Sequence, residues 1–248
     1  MADDPENPRR GLFPTTHRSA VVAVGSADPA ERARSFEILV RAYWRPVYKH
    51  VRLRFRRSAE EAEDLTQGFF ARAFEQRYFS AYDPARALFR TYLKTCLDRF
   101  VIKEAESAKR QKRGGGALLL SLDFASAERE VDQAEPLASD SIEGHFDREW
   151  ARCLLAAAVD TLRDECEKGR KEKHFRVFER YVLDDDPAGR PSYAALAVEL
   201  GIQVTDVTNY LSFARREFRR LVLEKLREIT STEDEFRAEA LAVLGVAP

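Results

Sequence analysis

The chain has 248 residues, of which 44% are hydrophobic and 33% charged, a composition that supports packed cores and excludes wholesale disorder. Its 41 lysines and arginines nearly balance 42 acids, so any nucleic-acid surface has to come from local segregation of charge. The three cysteines, Cys96, Cys153 and Cys166, are far apart and lack CxxC or Cys/His spacing. No apolar run is long enough to span a membrane, and the acidic start lacks the order of a signal peptide. A soluble, cytoplasmic protein without disulfides, metal or membrane insertion is expected.

Residues 1–28 carry Pro5, Pro8, Gly11, Pro14 and Gly25 with no sustained periodicity, and are expected to form a flexible tail. From Asp28 the pattern changes. Phe36, Leu39, Val40, Tyr43, Trp44, Val47 and Val51 recur at steps of three and four, the spacing of a core-facing helix. Ser58 reads as the N-cap of a second helix, followed by Glu60, Glu61, Glu63 and Asp64, with Leu65, Phe69, Phe70 and Phe74 as its apolar side. Glu63, Asp64, Gln67 and Glu75 make an exposed acidic surface suited to a basic partner helix. The aromatic stretch RYFSAYDPARA, residues 77–87, interrupts the helical pattern.

A third helix is expected from about residue 88 to 112. It carries Arg90, Lys94, Arg99, Lys103, Lys109, Arg110, Lys112 and Arg113, interleaved with Phe89, Tyr92 and Phe100. A basic helix after an aromatic loop suits single-stranded DNA, because phosphates need cations and unstacked bases need aromatic or snug polar surfaces. Gly114 to Gly116 end it. Between Ser121 and Glu149 nine acids face only Arg129 and Arg148, the composition of a linker. Helical spacing returns at Trp150, Leu154, Leu155, Val159 and Leu162, and again at Phe175, Phe178, Tyr181 and Val182.

The segment after Pro191 has the features of a helix-turn-helix. Ser192 is an N-cap, a short helix runs to Leu200, and Gly201 provides the turn. Val204, Val207, Leu211, Ala214 and Phe218 are expected to pack inward. The opposite face displays Thr205, Thr208, Asn209, Ser212 and Arg216, flanked by Arg215, Arg219 and Arg220. Short polar groups can address base edges in the major groove, and arginines toward the helix end can reach phosphates. His17, His50, His145 and His174 are isolated, and no phosphate loop or nucleophile elbow appears, so neither catalytic residues nor a cofactor are expected. In residues 229–248, Phe236, Ala240, Leu241 and Leu244 form one apolar face, which either packs back on the second module or binds a regulator.

These residues, in this order, resemble the extracytoplasmic-function (ECF) sigma factors of bacterial RNA polymerase, over roughly residues 35–228. WRPVY, EDLTQGFF and KRGGG at these separations, together with SYAALAVELGIQVTDVTNYLSFARREF, carry the resemblance. It implies an all-α protein of two small helical domains joined by a flexible acidic linker. Residues 29–113 would bind polymerase core and the minus-ten element, 114–145 would form the linker, and 146–228 would read the minus-thirty-five element. The implied partners are the beta-prime and beta subunits of the core, promoter DNA, and an anti-sigma factor or other regulator.

Residue by residue, the resemblance places Glu61, Glu63, Asp64 and Gln67 on the polymerase. Tyr78, Phe79, Ser80, Arg86, Arg90, Lys94 and Arg99 fall at the minus-ten strand. Thr205, Thr208, Asn209, Ser212, Arg215, Arg216 and Arg219 fall at the minus-thirty-five duplex. The chain departs from many relatives in having Thr208, Asn209 and Tyr210 where more basic residues are usual. A helix-turn-helix regulator that acts without polymerase core is the alternative expectation, and it calls for a dimerisation or ligand domain in the first half.

Overall fold

The computed structural model describes residues 19–108, 122–132, 144–184 and 189–245. Every regular element among the described residues is helical and none is a strand, so the all-α expectation holds. Helix α1 (Ala20–Ala23) is a single turn that starts at Ser19. Helix α2 (Pro29–Arg54) begins where the Asp28 carboxylate accepts from Ala30 N–H at 2.9 Å, and Pro29 occupies a first-turn position that needs no N–H donor. Phe36, Leu39, Val40, Tyr43, Trp44, Val47 and Val51 are all buried along it, as their spacing predicts.

Helix α3 (Ala59–Glu75) is started by a reciprocal cap. Glu61 N–H donates to Ser58 Oγ at 3.2 Å and Ser58 N–H donates to the Glu61 carboxylate at 3.0 Å. A 3-10 turn (Tyr78–Ala81) then leads to α4 (Phe89–Ala108). The remaining helices are α5 (Phe124–Asp132), α6 (His145–Lys168), α7 (Glu172–Phe178), which continues through a π turn (Glu179–Leu183), α8 (Tyr193–Leu200), α9 (Val204–Ile229) and α10 (Glu233–Leu244).

Two segments expected to be flexible are ordered in part. In the stretch read as an N-terminal tail, Ala20, Val21, Ala23 and Val24 are buried, with α1 packed on α2. In the stretch read as a linker, α5 buries Phe124 and Ala127 against α2, with Phe124 meeting the Trp44 and Tyr48 rings at 5.4 and 5.2 Å. The linker acids are employed here. Glu128 pairs with Arg52 and accepts from the Tyr48 hydroxyl, and Glu130 lies 2.7 Å from Arg45. Acids that look like a solvated tether in sequence find their cations on a helix about 80 residues earlier.

The two halves share one core. Helix α2 packs along α6, where Tyr43 stacks on Trp150 at 6.3 Å and His50 meets the Phe146 ring edge-on at 5.6 Å. An ion network with a buried centre crosses the junction: Lys49 Nζ lies 2.5 Å from Glu130 and 2.9 Å from Glu149, and Arg152 contacts both acids. Burial alone would raise the Glu149 carboxyl, but hydrogen bonds from Arg152 and Lys49 outweigh it and hold the group down at about 2. At the far end, Phe236 and Ala240 bury α10 against the body, while Leu241 is 56% exposed and falls outside the apolar face assigned to it. Of the two alternatives for this extension, packing is what occurs, and it reaches both halves of the chain.

Candidate nucleic-acid interface

Three surfaces carry the residues singled out by sequence. On α3, Asp64 is exposed, while Glu63 and Gln67 are half-buried and joined by a 3.4 Å contact one turn apart. Glu61 is exposed too, but its carboxylate is occupied locally: the Ser58 backbone hydrogen bond, with Arg57 3.6 Å away, keeps it below the usual carboxylate range. Its first role is to start the helix. Ala62, Thr66, Phe69, Phe70 and Ala73 face inward, so the acidic stripe is the outer face of a well-anchored helix.

The second surface is the loop between α3 and α4. Arg77 takes a left-handed conformation (φ 53°) to turn the chain, and the Tyr92 hydroxyl donates to the Tyr78 carbonyl at 2.7 Å, tying the turn to α4. Ser80 and Arg86 are exposed, with Arg86 3.3 Å from Asp83. Phe79 does not belong with them. It is 2% exposed, stacked on Phe36 at 5.6 Å and edge-on to Phe89 at 5.4 Å, so its ring builds the core and is not available to a base. Phe89 and Phe100 are likewise buried and Tyr92 half-buried.

Along α4, Arg99 is exposed and Lys94 half-buried. Arg90 is largely covered, its side chain 15% exposed. Its guanidinium lies over Trp150 at 5.0 Å, with Glu239 of α10 at 3.0 Å and Asp147 of α6 at 3.5 Å. Lys109, Arg110, Lys112 and Arg113, the rest of the basic run, lie outside the described residues.

The third surface is formed by α8 and α9. Gly201 ends α8 in the left-handed region (φ 59°), Ile202 N–H returns to the Ala197 carbonyl at 3.0 Å, and Gln203 with Asp206 starts α9. Val207, Leu211 and Ala214 are buried, but Val204 is 50% exposed: it sits at the first position of α9, before the helix meets its neighbours. Thr205, Thr208, Asn209, Ser212, Arg215 and Arg216 share the exposed side; Arg219 is partly buried. Arg220 departs from the expected phosphate set, because Glu165, Glu217 and Glu224 surround it at 2.6, 2.9 and 2.8 Å. Tyr210 is used internally, stacked at 3.8 Å on His174.

The sequence reading missed Lys49 as the hub of the junction, and Glu235 and Glu239 as contacts of the loop and α4. Glu235 and Glu239 stand one turn apart on the side of α10 that also carries Phe236 and Ala240, and all four are buried.

The described residues thus present an acidic stripe on α3 and a polar-basic face on α9. Residues 39–111, from within α2 to beyond the described end of α4, match the family model of sigma-70 region 2. Over that stretch, less than a third of the chain, the sequence is similar to region 2 of sigma-70 factors. Neither the curated proteins nor the solved structures gave a match. Among the described residues, no helix is long and apolar enough to cross a membrane.

Proposed function

We propose that the chain is a sigma factor of the ECF type, which binds RNA polymerase core, directs it to particular promoters and assists their opening. The observation that carries this reading is the sigma-70 region 2 match, whose span includes both the exposed acidic stripe of α3 and the loop and basic helix after it. On this reading Asp64, with Glu63 and Gln67, docks on a basic element of the core. Charge complementarity of that kind speeds encounter and fixes register. Ser80, Arg86, Lys94 and Arg99 meet the minus-ten strand, and Glu61 contributes by holding the start of α3.

The region 2 match stops well before α8, so the second half of the proposal rests on the geometry of α8 and α9 and on the sequence resemblance. A short helix, a glycine turn and a long helix with an exposed polar face are the parts of a helix-turn-helix. Asn209 and Ser212 then address bases of the minus-thirty-five element and Arg215 and Arg216 its phosphates. A regulator acting without polymerase would leave the region 2 match without a purpose. Run-off transcription with bacterial core polymerase tests the proposal: addition of the chain is expected to give initiation at discrete positions on genomic fragments, and the absence of any chain-dependent transcript would contradict it.

A further inference from the structure

Helix α10 places two acids on the part of the molecule assigned above to the promoter strand. Glu235 is buried, and its carboxylate accepts from four donors: Phe89 N–H at 2.7 Å, the Tyr82 hydroxyl at 2.9 Å, and Ser231 N–H and Oγ at 2.7 and 2.8 Å. Phe89 opens α4, where the N–H groups of the first turn have no partners within the helix and the helix dipole favours negative charge. As the third residue of α10, a glutamate commonly reaches back to cap its own helix at the N-cap N–H. Here that carboxylate bonds one residue earlier, at Ser231, and spans to the other half of the chain. One turn on, Glu239 is 2% exposed and faces Arg90.

The fit is incomplete. Arg90 Nε and Glu239 Oε1 are 3.0 Å apart without hydrogen-bond alignment, and Glu239 Oε2 is buried with no hydrogen-bond partner. Two planar carboxylates therefore occupy, imperfectly, a site made of a helix N-terminus, a tyrosine hydroxyl and a guanidinium. A tetrahedral phosphate, with more acceptor oxygens and similar charge, matches those donors at least as well.

We infer that Phe89 N–H, the Tyr82 hydroxyl and Arg90 form a phosphate site for the opened promoter strand, and that α10 occupies it through Glu235 and Glu239 until the strand displaces it. The chain by itself is then closed to single-stranded DNA. Phe236, Ala240, Val243 and Leu244 pack on the same face of α10 as the two acids, so the helix is released as a unit. The inference rests on the sigma-factor reading, and its test separates the two.

The experiment measures binding of a short fluorescent single-stranded oligonucleotide to the full chain at low salt, with amide hydrogen exchange over residues 78–92 followed in the same samples. Glu235→Ala removes the carboxylate that accepts from Phe89 N–H, the Tyr82 hydroxyl and Ser231. It is expected to speed exchange in this segment and to tighten binding by about tenfold, the gain when the open fraction rises from roughly a tenth toward unity. Adding Arg90→Gln is expected to abolish the gain. Glu235→Gln, the milder change, gives a smaller gain of the same sign and keeps the inference falsifiable should Glu235→Ala misfold. Unchanged affinity in these variants, with wild-type retention on polymerase core, overturns the inference and leaves the sigma-factor reading intact. Failure of the wild type to be retained on core overturns that reading, and the inference with it.

Discussion

Replacing Lys49 by methionine removes the cation at the centre of the junction between α2, α5 and α6. Lys49 is 5% exposed and touches Glu130 and Glu149, so the substitution leaves Glu149, also 5% exposed, with Arg152 as its remaining cation. Breaking a buried pair from one side costs on the order of 3–5 kcal/mol, because the other charge stays desolvated. Arg152 remains in place and Glu130 keeps 30% of its side chain in water, which puts the expected loss at about 3 kcal/mol. The pH dependence follows from Glu149. Its carboxyl is lowered to about 2 in the fold, so its stabilising contribution, about 3 kcal/mol, is present above the ordinary carboxylate range and is lost as pH falls toward 2.

Urea unfolding followed by tryptophan fluorescence reads this site, since both tryptophans lie at the junction, Trp44 against Phe124 and Trp150 against Tyr43. Lys49→Met is expected to lower stability and to flatten its decline between about pH 4.5 and 2, while Lys49→Met with Glu149→Leu recovers most of the loss at neutral pH. A loss under about 1 kcal/mol for the single change, or an unaltered acid limb, would refute the assignment of the network as the tie between the two halves.

Phe79→Ala is expected to destabilise the chain by about 3–5 kcal/mol in the same assay, as for a buried aromatic removed from a core, and a near-neutral effect would return Phe79 to the strand-contacting set. Asn209→Ala should reorder affinities among minus-thirty-five variants, at a cost of roughly 1–3 kcal/mol on the best site, whereas Arg215→Ala should weaken all sites alike and reduce the salt slope by about one, both read by titration at two salt concentrations. Burial raises the Glu239 carboxyl to about 7 against the pull of Arg90, with Glu235 and Asp147 adding to the rise. A raised acid stabilises the docked state most at low pH and loses that contribution as pH rises through about 7. Hydrogen exchange over 233–244 should therefore quicken from pH 6 to 8 beyond the chemical rate, and Glu239→Gln should remove the excess.

The helices were legible because their apolar residues repeat at helical spacing over long stretches and their starts carry strong caps, as at Asp28, Ser58 and Ser192. The polar face of α9 was legible for the same reason, since Val207, Leu211 and Ala214 fix its inner side. What escaped was pairing at long range. Glu128 and Glu130 read as tether residues because their cations, Arg45, Lys49 and Arg52, lie on a distant helix, and local charge balance cannot show that. Phe79 was placed at the minus-ten strand by the family resemblance of its loop; its burial depends on Phe36 and Phe89, which only the fold brings to it. Arg220 read as a phosphate contact because its three carboxylate partners come from α6 and from both flanks of its own helix.

The sigma-factor reading is tested most directly by co-elution with bacterial core polymerase on size exclusion, comparing the wild type with Asp64→Arg. Asp64 is exposed and has no ion pair among the described residues, so the reversal leaves the fold unchanged and alters only what the α3 stripe offers a partner. The wild type is expected to co-elute with core and Asp64→Arg to elute alone with an unaltered circular dichroism spectrum. A wild-type chain that elutes apart from core, or an Asp64→Arg chain that co-elutes in equal yield, would contradict the account.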